Sequence, residues 1–126
     1  MTPLVVLCVV LGAAAGAPAR FLVERRLAGA YPWGTFVVNL VGSAVLGGLV
    51  AAGSSGAWLA LVGVGFCGAL TTFGGFGAQV LDLASPRPGV SGGRRTAAAL
   101  TYAAASVSAC IAAAGISFVT VASLTG

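Results

Sequence analysis

The sequence predicts an all-α integral membrane protein of four transmembrane helices, the third of them broken near its middle. Three observations predict it. Of 126 residues, 59% are hydrophobic and only 6% are charged, whereas a soluble domain carries about 25% charged residues to face water. The apolar residues gather into four stretches, each near the ~20 residues that a spanning helix needs. Within the third stretch, six glycines and a pair of threonines interrupt what would otherwise be a continuous helix.

The spans are placed at Pro3–Leu22, Pro32–Ala52, Trp58–Leu83 and Thr96–Leu124, a single membrane domain with no length left for a second one. The first span has no basic residue before its apolar run and a basic cluster after it, so it reads as a mature helix and not as a cleaved leader. Cys8, Cys67 and Cys110 each fall inside a span, without metal-ligand spacing and with no histidine in the chain. They read as small apolar packing residues.

All six basic residues are arginines, and their placement is one-sided. Arg20, Arg25 and Arg26 lie at or just beyond the end of the first span; Arg87, Arg94 and Arg95 precede the fourth. In a four-helix weave these two connections share one side of the membrane. The remaining connection, Gly53-Ser54-Ser55-Gly56-Ala57, is uncharged. Short arginine-bearing loops stay cytoplasmic, so both arginine loops are expected inside and both termini outside. The arginines read as topology determinants, with some contact to anionic lipid expected from the net charge of +4. Arg20, at the end of the first span, is the one singled out for a second role.

Glycines recur inside the spans, at Gly12, Gly16, Gly42, Gly47, Gly48, Gly63, Gly65 and Gly68. Small residues about four apart let helix backbones approach closely in lipid. A tightly packed bundle or dimer follows.

The only acids, Glu24 and Asp82, lie at membrane edges. Proton-coupled transporters place a carboxylate at membrane depth, and none is there. No histidine, paired acid or activated nucleophile offers catalysis. Uncharged polar groups remain. Asn39 sits at membrane depth, where an amide needs a partner; it either joins helices or lines a polar path. In the run from Gly65 to Gly77, glycines and β-branched threonines weaken the helix, and unwound carbonyls there suit a hard cation. Phe73 and Phe76, three apart, share a face once the helix resumes, and an aromatic ring presents a positive edge to an anion. On the fourth span, Tyr102, Ser106 and Cys110 recur every four residues and form one stripe. These hydroxyls serve either packing or a pore.

Taken together, these residues resemble the small bacterial fluoride channels of the CrcB family. The likeness runs through Gly16-Ala17 with Arg20, then Pro32-Trp33-Gly34-Thr35 leading to Asn39 and Gly42-Ser43. It ends in Gly65-Phe66-Cys67-Gly68 and Thr71-Thr72-Phe73-Gly74-Gly75-Phe76. The resemblance implies an antiparallel dimer with two pores along the subunit interfaces. It implies Asn39 as a pore-lining amide, Phe73 and Phe76 as ring-edge ligands of fluoride, and Tyr102 and Ser106 as a hydroxyl track. It also implies a structural sodium ion held by the backbone carbonyls of Gly68 and Thr71.

Two departures stand out. The family usually has Ser-Thr where this chain has Gly74-Gly75, and a glutamate where it has Gln79. With the one-sided arginines, which oppose insertion both ways round, they point to an obligate heterodimer with a homologue of opposite orientation. One pore of that pair is then expected to carry most of the flux. A small multidrug-type exporter would need a carboxylate in the first span, which has none. A non-transporting assembly protein would explain the glycines but not the ordered asparagine, threonines and phenylalanines.

Overall fold

The computed structural model describes residues 2–126 and is entirely helical. Helix α1 (Pro3–Arg26) and helix α2 (Trp33–Ala51) are each continuous. The third span, Gly56–Ala84, is bent. It divides into α3, residues 56–70, and α4 (Phe73–Ala84). Helix α5 (Gly92–Thr125) completes the chain. All four long helices are apolar enough to cross a membrane.

The helix ends follow from local chemistry. Pro3 opens α1 at a position where a missing N–H costs nothing. Arg25 and Arg26 occupy its last turn, favourably placed against the negative end of the helix dipole. Helix α2 closes in a Schellman motif: Ser54 N–H bonds the Leu49 carbonyl at 3.1 Å and Gly53 N–H the Val50 carbonyl at 3.1 Å. That closure needs a left-handed residue, which Gly53 supplies with φ of 63°. Helix α1 runs four residues past the expected end of its span, and α5 begins four residues before the expected start of its own. The second extension brings Arg94 and Arg95 into a helix.

The sequence reading did not anticipate the form of α3. Leu59–Cys67 is π-helical, and Gly68 N–H reaches back five residues to the Gly63 carbonyl. π-Helical segments are rare and gather at functional sites. This one leads directly into the break.

Packing inverts the pattern of a soluble protein. Leu7, Leu11, Leu100, Ile111 and Val119 are each more than half exposed, on surfaces that lipid covers at no cost. The buried residues are mostly small or polar: Thr35, Ala60, Cys67, Ala99 and Ser106 among them. Helix α2 packs most extensively on α5, and α1 on α3. The α1–α3 contact is backbone on backbone. A methyl group built on Gly65 would lie 2.6 Å from the Val9 carbonyl oxygen, and one built on Gly12 would lie 2.7 Å from the Phe66 amide nitrogen. Nothing larger than hydrogen fits at either position.

Candidate functional site

The break is two residues long. Thr71 (φ −79°, ψ 156°) and Thr72 (φ −147°, ψ 118°) are extended between two helices. Backbone groups freed at membrane depth must find partners inside the protein, and here most do. Thr71 directs both its N–H and its hydroxyl to the Cys67 carbonyl, each at 2.9 Å. The Thr72 hydroxyl caps α4 by accepting from Gly75 N–H at 2.9 Å.

Asn39 supplies the remaining partner. Its Oδ1 accepts from Thr72 N–H at 2.7 Å, and its Nδ2 donates to the Thr72 carbonyl at 3.2 Å. The side-chain amide therefore substitutes for a missing strand, pairing both backbone groups of one residue. From α1, Arg20 Nη1 donates to the Thr71 carbonyl at 3.3 Å. Thr72 N–H is the helical donor that the Gly68 carbonyl would otherwise receive; with Asn39 holding it, that carbonyl is left free for another ligand.

Beside the break lies a groove of about 410 Å³ whose walls include Asn39, Gly68, Thr71, Thr72, Phe73 and Phe76, with Ser106 and Cys110 from α5. Phe73 and Phe76 lie with ring centroids 6.2 Å apart. Phe73 is 88% exposed, its ring standing off the protein surface. Ser106 is buried, and its hydroxyl has no hydrogen-bond partner.

Tyr102 is placed differently from its neighbours on the stripe. Its side chain is fully buried behind Phe76, with ring centroids 5.8 Å apart, and meets Tyr31 edge-on at 5.5 Å. It does not wall the groove, and its hydroxyl has no partner of good geometry, lying only near that of Ser106 one turn on. Gly74, Gly75 and Gln79 do not wall this groove either. A methyl group on Gly74 would meet nothing within 4 Å, whereas one on Gly75 would press on Thr72 Cγ2 at 2.8 Å.

Three features escape a reading of the sequence. Thr35, buried in α2, donates to Glu24 Oε1 at 3.2 Å and so engages the one acid of α1. Glu24 is further held by close contact with Gly34. Arg95, read as a loop residue, is instead 92% buried in the first turn of α5, since its relative exposure is 8%. Its spacing of seven from Tyr102 and eleven from Ser106 is the signal that could have found it. By contrast, Thr120 and Thr125 satisfy their own hydroxyls on the backbone of α5, with bonds of 2.8 and 3.0 Å, and belong to packing.

The order of these residues matches known proteins. The family described as "CrcB-like protein, Camphor Resistance (CrcB)" matches residues 7–118. The fluoride-specific ion channel FluC of Bordetella bronchiseptica is 41% identical over 125 residues, covering 94% of this chain and 92% of that protein. Fluoride-specific ion channel FluC 2 of Rhodococcus jostii is 39% identical over 115 residues, covering 90% and 95%. Fluoride-specific ion channel FluC 1 of Nocardia farcinica is 51% identical over 79 residues, a match that spans 60% of this chain but only 56% of that relative's length. The chain, a multi-pass membrane protein, belongs to the CrcB/FluC family of fluoride-specific ion channels.

Proposed function

We propose that this chain is a subunit of a fluoride-selective channel that lets fluoride leave the cytoplasm passively, down its gradient. The family's activity is ion conduction and not catalysis. The observation that carries the reading is the unfinished groove: a ring 88% exposed at Phe73, next to Phe76, Asn39 and a buried Ser106 hydroxyl without a partner. Polar groups beside an exposed ring suit a second subunit better than lipid, which would leave the polar groups unmatched.

Moving a carboxylate-sized ion into a medium like lipid costs on the order of 20 kcal/mol, and the smaller fluoride costs more. Polar groups of fixed orientation must replace its water. Asn39 is held at both ends of its amide by Thr72, so it is already oriented. Phe73 and Phe76 offer ring edges, which carry partial positive charge. Ser106 offers a hydroxyl that no protein group has claimed, and Tyr102 a second one behind Phe76. None of these groups bears charge, so the anion is held only weakly and can move on.

The carbonyls of Gly68 and Thr71 fit a structural sodium ion. The first lacks its helical donor, and the second accepts only one bond, from Arg20. Two carbonyls are a fraction of the roughly six oxygens that a hard cation of this size gathers, so one chain holds only part of a site. A cation bound there would lower the barrier for an anion passing nearby.

The incomplete cation site and the exposed ring both favour a second subunit. We place the four spans in one membrane domain of the bacterial plasma membrane, with arginine loops in the cytoplasm and termini outside. An antiparallel partner must then carry arginines in the other loop or at its ends, which favours a heterodimer over a homodimer.

Liposomes containing this chain, alone and with such a partner, test the reading through fluoride and chloride efflux on ion-selective electrodes. The pair is expected to pass fluoride and not chloride, and the double variant Phe73→Ile, Phe76→Ile to pass neither. Absence of fluoride efflux from every combination sinks the channel reading. Fast efflux from the chain alone sinks only the obligate pairing.

A further inference from the structure

Among the described residues, three buried side-chain polar atoms make no hydrogen bond: Arg95 Nε, Tyr102 Oη and Ser106 Oγ. All three belong to α5. At positions i, i+7 and i+11 they share one face over about 16 Å, and together with Ala99 they are the buried residues of that helix. Tyr102 and Ser106 already have a place in the proposed track. Arg95 does not.

A capping role accounts for part of it. Arg95 Nη2 donates to the Asp82 carbonyl at 2.8 Å, in the last turn of α4, where a cation suits the helix dipole. A carbonyl occupies one of five guanidinium donors and leaves the charge intact. The ion pair found among the described residues is Arg87 with Asp82, at 2.9 Å and largely exposed; Arg95 has no carboxylate of its own. A buried charge without a counter-ion is costly, and Arg95 shares its helix face with the two free hydroxyls.

The surroundings add to the positive field. Arg95 lies in the first turn of α5, next to Arg94, with no acid in that turn and no side-chain cap from Ser91. The leading N–H groups belong to Gly92 and Gly93, where an added methyl group would meet nothing within 4 Å. The positive end of the helix dipole and the guanidinium therefore act together on an anion.

We propose that Arg95 is an anion-capture residue, the first donor of a line running Arg95, Tyr102, Ser106, which takes a small anion from the arginine-loop side and delivers it to the hydroxyls. This rests on the channel reading and extends its track by two helical turns. Ala99, the smallest side chain of that face, is buried with Tyr102 and Leu83 in one apolar cluster. The Asp82 carbonyl holds the guanidinium in place and tempers its attraction, so that an anion is drawn in without being trapped.

The test compares wild type, Arg95→Lys and Arg95→Gln, each assembled with the partner subunit. Initial fluoride efflux is measured across a range of fluoride concentrations, in vesicles of phosphatidylcholine alone and with phosphatidylglycerol. Glutamine keeps a donor for the Asp82 carbonyl and removes the charge; lysine keeps the charge. Arg95→Gln is expected to raise the half-saturating fluoride concentration several-fold while leaving the maximal rate within about twofold. Arg95→Lys should stay near wild type, in both lipids and with unchanged thermal melting of the assembly.

Identical kinetics for Arg95→Gln and wild type overturn the proposal. So does an equal loss in both variants with lowered melting, which marks a clamp only, or a defect confined to anionic vesicles, which marks a lipid phosphate site. Wild type without fluoride efflux removes the channel reading itself, and this line with it.

Discussion

The two halves of the third span are built on opposite principles. Before the break, α3 presses Gly65 against the backbone of α1 at Val9 and Gly12 and leaves no space there for a side chain. After it, α4 turns Phe73 and Leu81, 88% and 70% exposed, away from the protein. The first half is finished within one chain; the second is not. In the proposed pairing, the fold of the subunit stays independent of the surface it offers.

The contrast predicts that substitutions before the break destroy the protein and those after it change only what the protein does. Gly65→Leu has the largest expected effect. Even a methyl group there meets the Val9 carbonyl and the Gly12 Cα, at 2.6 and 3.0 Å, and in lipid this close packing is itself the force that joins helices. No folded protein should be recovered on size-exclusion chromatography. A well-behaved Gly65→Leu protein would mean that α1 and α3 are not held by backbone contact.

Asn39→Ala acts at the junction of the halves. It leaves the Thr72 N–H and carbonyl unpaired, and each buried unsatisfied group costs about 1–3 kcal/mol. Folding should survive, because the α1–α3 contact is untouched. Fluoride efflux should fall at least about tenfold, since 1.4 kcal/mol on a barrier is a factor of ten. Melting lowered by this amount with efflux unchanged would make Asn39 a brace and not part of the path.

Thr72→Val is smaller still. It removes the cap on α4, worth about 1 kcal/mol, and keeps the shape and the extended backbone preference of the residue. The groove loses one hydroxyl but retains Asn39 and Ser106. Efflux should drop a few-fold, with melting only slightly lower. A loss as deep as that of Asn39→Ala would show that the Thr72 hydroxyl itself meets the ion.

How far these features can be read from residues alone depends on the scale of the interaction. Four apolar stretches and Thr71-Thr72-Phe73-Gly74 announce helices and a bend, because lipid solvation and helix propensity act locally. The π-helical turn over Leu59–Cys67 is not announced: it is a shift of hydrogen bonds by one residue, from i−4 to i−5, settled by how α3 seats on α1. Asn39 is visible as an amide in need of a partner, yet its partner is 33 residues away, and nothing nearby in the sequence names Thr72. Arg95 looks like its neighbours Arg87 and Arg94, since glycines precede it and charge normally marks a loop. Only the extra turn of α5 buries it.

Gly74 gives the smallest effect and separates this chain's own groove from the surface it lends to a partner. A side chain there meets nothing within 4 Å and does not wall the groove, so Gly74→Ser adds a hydroxyl only to the open side of α4. Replacing glycine inside a helix gains roughly half a kcal/mol, and melting should rise slightly. In the proposed dimer, with its two pores along the interfaces, this substitution would reach only the one that α4 completes for a partner. Total fluoride efflux should therefore lie between unchanged and about doubled, the limit set by opening one further line of equal conductance. Gly75→Ser is the control: its side chain presses on Thr72, and loss of the cap, about 1 kcal/mol, offsets the gain in propensity. A severalfold change in efflux from Gly74→Ser would place the conducting line on the open face of α4 and leave the groove beside Asn39 without a role in transport.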